Sequence, residues 1–476
     1  MADAKEAKKR EKAEAKAKAK EETKNLKIFF QYIVGVIICL GGFVAGTAIG
    51  WSSPANGILK KEGGITDGEF AWISSLFALG AALSQLLVVV LVKCLGLKWC
   101  IVVTHVILIC GWIPLTLSMN FWVQITGRLV CGIAGAFCVA CPMYLGESTH
   151  KSHRGTIGVF FQLFITLGIL VAYIAGIAKN MIILNVTCGA GCVLAIILMI
   201  LFIPESPYAL LKRNKLEKYE KVMKKLRGKE FDYSKEQAEM QAAIESKESV
   251  KEGFKQPVNL KAFGVLLGLH MLQQLSGINA ILYHAHAIFS ASNTNISEDL
   301  SVIIVGIAQV LLCLVAAACV DRAGRIMLFA ISVGIMCLCL VLTGFYFMVD
   351  KETQETLAMI PTIALVVYIM GFSLGAGPLP WLMFGEYLPS SVKTVMSTII
   401  AFVNWMLAFG TSWVMPVMMA SINPAYIFYG FGTICFLGIF YLLLVVVETN
   451  QKTFEEIQAD IEHHKPGNVF RKRRGA

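Results

Sequence analysis

Twelve apolar stretches divide this chain, and nothing else in it limits the possible folds so sharply. They run at about 28–50, 70–92, 99–119, 121–145, 156–178, 182–203, 259–289, 300–320, 326–349, 359–384, 394–420 and 424–447. A helix needs about 20 apolar residues to cross the hydrocarbon core of a bilayer. Within that core the backbone must satisfy its own polar groups, which favours helices over open strands. The expectation is an all-α membrane protein with twelve transmembrane helices, one per stretch. Composition agrees, since 56% of the residues are hydrophobic and 16% charged, against about a quarter charged in soluble domains. A soluble enzyme is excluded.

The net charge of +10 would suit a nucleic-acid partner if it formed one patch. It does not. Residues 1–27 hold ten Lys and Arg, the linker 204–258 holds thirteen and the tail 448–476 holds six. Lys93, Lys98, Lys151, Arg154, Lys261, Arg322, Arg325 and Lys393 fall on the same side. The opposite side keeps only Lys60, Lys61, Lys179 and Lys351, while Arg128 lies within a stretch. This bias places both termini and the linker in the cytoplasm. No nucleic acid is implied, and no obligate protein partner. The first 27 residues mix both signs without an apolar run, unlike a signal peptide. The fourteen cysteines avoid the outer loops, so no disulfide framework is expected. Asn185-Val-Thr187 and Asn295-Ile-Ser297 are glycosylation sequons on the outer side.

The chain is read as a tail (1–27), a six-helix half (28–203), a helical linker (204–258), a second six-helix half (259–447) and a tail (448–476). A local repeat supports the two halves. Gly146-Glu147 is followed by Arg154 and Gly385-Glu386 by Lys393, with an offset of 239 residues between the copies. Duplicated halves that rock about a central site are a common transporter plan.

Nothing in the chain points to catalysis. No phosphate-cradling Gly-Lys-Ser/Thr loop is present, and His and Cys do not cluster at metal-ligand spacing. No cofactor or metal is expected. Polar residues within the stretches say more, because hydrocarbon tolerates them only when they face protein or a water-filled cavity. The seventh stretch carries Gln273, Gln274, Ser276, Gly277 and Asn279, then Tyr283 and His284. A straight helix would not aim those three amides together, so a break is expected near Gly277. Gln162, Thr166, Ile169 and Tyr173 form a polar-edged stripe in the fifth stretch. Gly375-Ala376-Gly377-Pro378-Leu379-Pro380-Trp381 in the tenth cannot be a regular helix, because two prolines remove amide donors. Gln309 and Asn404 add further amides. Amides, hydroxyls and indoles suit a neutral, hydroxyl-rich ligand.

No stretch has an Asp or Glu near its middle. A proton-driven carrier usually needs a titratable group at depth, so passive uniport is favoured, with His105, His270 and His284 keeping proton coupling as the alternative. Charges at the cytoplasmic ends, namely Glu147, Arg154, Glu205, Asp321, Arg325, Glu386 and Lys393, are expected to gate by pairing across the two halves when the inner side is shut.

Several motifs together identify a family. Pro142-Met143-Tyr144-Leu145-Gly146-Glu147 with Arg154-Gly155, Pro204-Glu205-Ser206-Pro207, Gln273 to Asn279, Asp321 to Arg325, Gly377 to Trp381 and Glu448-Thr449 recur in order. From about residue 28 to 457 the chain resembles the sugar porter branch of the major facilitator superfamily. Gly50-Trp51-Ser52-Ser53-Pro54 and Pro380 to Glu386 look most like the insect facilitated trehalose transporter group. The resemblance implies a cell-membrane carrier of a hexose or trehalose, with sugar contacts at Gln162, Gln273, Gln274, Asn279, Gln309, Trp381 and Asn404. It also implies an inner gate at the charges named above. Proton-coupled relatives carry a first-span aspartate that this chain lacks. Departures from the pattern are Lys93 and Gly96-Leu97-Lys98 in the first-half loop, Tyr208 after Pro207, Val447 before Glu448, Ser373, Ala408, and His270-Met271-Leu272 ahead of Gln273. They leave a polyol carrier or a non-transporting sugar sensor as alternatives.

Overall fold

The computed structural model describes residues 25–150, 153–245, 250–284, 298–450, 452 and 454–463. All regular structure among these residues is helical. Among the described residues, ten helices are long and apolar enough to cross a membrane, and two shorter apolar helices, Phe121–Ile133 and Phe160–Gly176, occupy the fourth and fifth stretches. The basic linker lies at one end of the bundle, here the linker end. Several helices that start at the other end, the far end, carry built-in caps. Thr66 and Glu69 form a reciprocal capping box ahead of Asp67–Leu95. Asn120, Asn180 and Asn423 accept from backbone N–H groups at the starts of Phe121–Ile133, Met181–Phe202 and Pro424–Leu444.

Four stretches depart from straight single helices, the fourth passing from Phe121–Ile133 through a 3-10 turn, Ala134–Ala136, into Phe137–Ser148. The first does not stop at residue 50: Phe29–Gly50 runs on through Trp51 into Ser52–Gly63. Its polar Ser52, Ser53 and Asn56, which read as a helix end, are buried against protein. The seventh breaks at Gly277, whose φ of 89° is left-handed, between Pro257–Leu275 and Ile278–Tyr283. The tenth passes from Met359–Gly371 through a π-helical turn, Phe372–Ala376, into Leu379–Tyr387.

Small residues let the helices approach closely, as membrane packing requires. A Cβ on Gly46 would lie 2.0 Å from the Ile165 carbonyl oxygen, and one on Gly168 the same distance from that of Phe43. The first and fifth stretches are thereby pressed backbone to backbone. In the linker, Leu210, Leu211, Tyr219 and Met223 form a small core of their own. Arg227, almost fully buried, fastens it to the bundle: it forks onto Glu236 at 2.8 and 3.1 Å and donates to the Ser148 carbonyl at 2.7 Å.

The two halves of the chain repeat one side-chain clasp at the linker end. Tyr144 donates to the Pro204 carbonyl at 2.7 Å, and Tyr387 to that of Val447 at 2.6 Å. Ser206 donates to Glu147, and Thr449 to Glu386 at 2.5 Å. Glu205 and Glu448 sit against Gly96 and Gly324, which have φ of 85° and 88°.

Candidate functional site

The two helix breaks make the site. Gln274 closes one helix and Asn279 opens the next, and the left-handed turn at Gly277 brings their side chains to 2.7 Å, Asn279 donating to the Gln274 oxygen. Gln274 donates in turn to the Asn404 oxygen at 3.0 Å. Asn404 donates to Gln273 at 3.0 Å and approaches His270 Nδ1 at 3.1 Å. Gln273 then reaches the tenth stretch, donating to the carbonyls of Ala376 at 2.7 Å and Gly377 at 3.0 Å. The Ala376 carbonyl is open because Pro380, four residues on, has no N–H to give it. The amide network therefore spans the seventh, tenth and eleventh stretches. All four amide residues are buried, Asn279 being the most exposed at 8%.

Trp381 is half-buried beside this network, edge-on to the His270 ring at 4.8 Å. Gln162 and Gln309 stand apart on other helices and make no hydrogen bond to it. Gln309 is buried with its oxygen unpartnered, as are the Tyr173 hydroxyl and the Trp405 indole N–H. Ser373 bonds the Ile369 carbonyl at 3.0 Å on its own helix. Aromatic pairs join the second stretch to the second half of the chain. Phe70 meets His284 and Phe77 meets Trp405, both edge-on at 6.0 and 6.1 Å, and Trp72 meets Trp413 at 5.2 Å.

Sequence reasoning missed two features. His270 holds Trp381 and Asn404 together, a role with no local signal. Arg128, fully buried, lies over the rings of Trp51 and Phe77 at 4.7 and 4.8 Å and donates to the Ala48 and Ile73 carbonyls and to Ser52. Its position inside an apolar stretch was the available signal. Trp51 in turn donates to the Asn185 oxygen at 2.5 Å, and Asn185 donates to the Leu115 carbonyl at 2.7 Å. Asn185, the first of the two sequon asparagines, is therefore 1% exposed, with its side chain bonded between Trp51 and Leu115. Asn295 lies outside the described residues.

Among the described side chains of the gating candidates, Arg325 and Glu386 form an ion pair within the second half. Arg325 bonds Glu386 at 3.1 Å and Asn450 at 2.6 Å, and Lys393 donates to the Gly385 carbonyl at 3.2 Å. Glu448 accepts from the N–H groups of Arg325 and Ile326, both at 3.0 Å, capping that helix. In the first half the matching clasp is incomplete. Leu97 stands where the second half has Arg325, and one Glu205 oxygen is buried without a partner. Burial pushes Glu147, just past the fourth stretch, up to about 7, against the lowering effect of its bond from Ser206. Burial also raises Tyr208, with Glu147 adding to the shift. The side chains of Arg154 and Asp321 lie outside those described.

The model of the sugar (and other) transporter family matches residues 4–461. The chain belongs to that family. The transporter is 30% identical over 450 residues to the facilitated trehalose transporter Tret1 of Polypedilum vanderplanki, covering 92% of this chain and 89% of that protein. It is 31% identical over 466 residues to Tret1 of Drosophila willistoni, covering 94% of this chain but 52% of that one, so it spans about half the length of that relative. Its fold is that of the major facilitator protein XylE, a proton:xylose symporter solved with 6-bromo-6-deoxy-D-glucose. The TM-score is 0.74 at 21% identity, covering 90% of this chain and 98% of the other. The chain is thus a multi-pass membrane transporter of the sugar (and other) transporter family and no enzyme.

Proposed function

We propose that the transporter carries a neutral sugar, a hexose or trehalose, down its gradient across the cell membrane by alternating access. The observation that carries this reading is the buried network of Gln273, Gln274, Asn279 and Asn404, which offers donors and acceptors but no charge. Sugar hydroxyls do both, and they compete for such amides on equal terms. Trp381 supplies an apolar face, while Gln162 and Gln309 complete the site from the facing helices. Twelve spans in two six-helix halves (28–203 and 259–447), with linker, tails and basic residues in the cytoplasm, fit the charge distribution. The trehalose transporters among its relatives support the choice of sugar.

Glu147, Arg154, Glu205, Asp321, Arg325, Glu386 and Lys393 form the inner gate. The far end is held by the aromatic pairs Phe70–His284, Trp72–Trp413 and Phe77–Trp405. The described clasp bonds lie within each half, while Val88, Val92 and Met143 of the first half pack with Ala401 and Trp381 of the second near the linker end. Pairing of the gate charges across the halves would hold the inner side shut.

Side-by-side uptake of radiolabelled glucose, fructose and trehalose into proteoliposomes tests this reading. Saturable uptake that stops at equal concentrations inside and out is expected. A second reading, proton-coupled transport, is favoured by the XylE likeness and by the buried His105, His270 and His284. Accumulation above the external concentration under an imposed proton gradient would establish it and overturn uniport.

A further inference from the structure

The His270 ring touches both the amide network and the segment beyond the break in the tenth stretch. It is fully buried. Its ring stacks on Phe384 at 4.7 Å with 13° between the planes, and meets Trp381 edge-on at 4.8 Å. Phe384 and Trp381 are also edge-on to each other at 5.7 Å, closing a three-ring cluster. On the other side, Asn404 Nδ2 approaches His270 Nδ1 at 3.1 Å. An amide nitrogen is only a donor, so Nδ1 accepts and the neutral ring carries its proton on Nε2.

Three acceptors compete for the Asn404 N–H groups: His270 Nδ1, the His270 carbonyl at 3.3 Å and Gln273 Oε1 at 3.0 Å. An amide NH2 has two hydrogens, so the arrangement has no donor to spare. A sugar hydroxyl that accepts from Asn404 must take a hydrogen from one of these partners. When it comes from Nδ1, the imidazole loses one of the contacts that fix its rotation, and the three-ring cluster can shift. Leu379–Tyr387 carries the other two rings, and near its end lie Glu386 and Tyr387, which belong to the linker-end clasp through Arg325, Thr449 and Val447. One short helix thus runs from the candidate sugar amides to the clasp, and His270 is its handle.

We propose that His270 is a positioning residue that couples sugar engagement at Asn404 to movement of helix Leu379–Tyr387. The assignment rests on the transport reading above and deepens it. Two properties are needed together, an acceptor nitrogen and an aromatic face, and a glutamine or a phenylalanine supplies only one of them. His270→Phe keeps the stack and loses the acceptor; His270→Gln keeps an acceptor and loses the ring.

The test uses the full chain in proteoliposomes with whichever of glucose, fructose and trehalose it takes up fastest. Uptake kinetics are measured beside the sugar-induced change in tryptophan emission, with the Trp381 share obtained by difference from a Trp381→Phe background. Each His270 variant is expected to lower kcat about tenfold while KM moves less than about threefold, and to lose the Trp381 response. A wild-type kcat with an intact Trp381 response in either variant overturns the assignment. So does a raised KM at unchanged kcat, which would make His270 a simple sugar contact. If one variant fails to fold, the other decides alone. Wild-type protein that takes up no sugar overturns the transport reading, while its Trp381 response to sugar and the loss of that response in the variants still decide the role of His270.

Discussion

Asn404 joins four hydrogen bonds in the buried network, so its truncation is the most informative single change. Asn404→Ala strands Gln274 Nε2, Gln273 Oε1 and His270 Nδ1, and each buried polar group left unpaired costs about 1–3 kcal/mol. The expected outcome is a KM raised about tenfold or more and a lower melting temperature, read by proteoliposome uptake and by thermal unfolding in detergent. Arg128 makes a different case. Lysine would keep the charge of Arg128 but could not fork to two carbonyls and a hydroxyl while lying between two rings. Arg128→Lys is expected to lose about 2 kcal/mol, measured in the same unfolding assay. Asn185→Gln should leave electrophoretic mobility unchanged after expression in a glycosylating host, because the amide is bonded to Trp51 and Leu115. A mobility shift would refute that assignment. At this scale the chemistry of the site was legible in the sequence, since amides and an indole within apolar stretches have few other uses. The bonding was not, because Gln274 and Asn404 are far apart in the chain and only packing makes them neighbours.

The breaks in the helices are what aim these residues. Gly277→Ala would place a side chain at a φ of 89°, with its Cβ 2.6 Å from the Phe431 ring. Left-handed geometry alone costs roughly 1–2 kcal/mol for a residue with a Cβ, and Phe431 must also give way. Uptake is expected to fall severalfold, together with thermal stability. The sequence foretold this break and that of the tenth stretch from glycine and proline, which act locally. It misjudged the end of the first stretch, because Ser52 and Asn56 look like surface residues until Arg128 and the neighbouring helices bury them.

The clasp at the linker end belongs to the same scale. Burial holds Glu147 up to about 7, above its ordinary 4.5. The folded protein therefore keeps a proton there that the unfolded chain has lost. The resulting stability is complete below the ordinary value and disappears as pH rises through the folded one. Melting temperature should decline from about pH 5 to about pH 8, and Glu147→Gln should remove part of that decline. Leu97→Arg would supply the cation that the second half has in Arg325. It should give the orphaned Glu205 oxygen a partner, draw the Glu147 carboxyl back down and flatten the same profile. An unaltered profile in Leu97→Arg would mean that the two halves hold their clasps by different means.

At the scale of the whole molecule, the composition dictated a membrane and the charge distribution implied an orientation. The order of motifs marked a sugar carrier, which the family match bears out. These properties follow from the sequence because they are sums over many residues or the chemistry of short segments. Hydrophobic length, the placement of lysines and arginines, and the helix-breaking of glycine and proline need no knowledge of what touches what. Other properties were decided only when the chain folded back on itself. Which amides satisfy one another, which ring holds Trp381, what compensates a buried arginine and what buries the Asn185 amide all depend on contacts between helices far apart in the chain. Such contacts are set by packing backbones at glycine-lined crossings, as at Gly46 and Gly168. Directional bonds a few ångströms long then select among the neighbours that packing supplies, and a one-dimensional sequence carries no record of that distance.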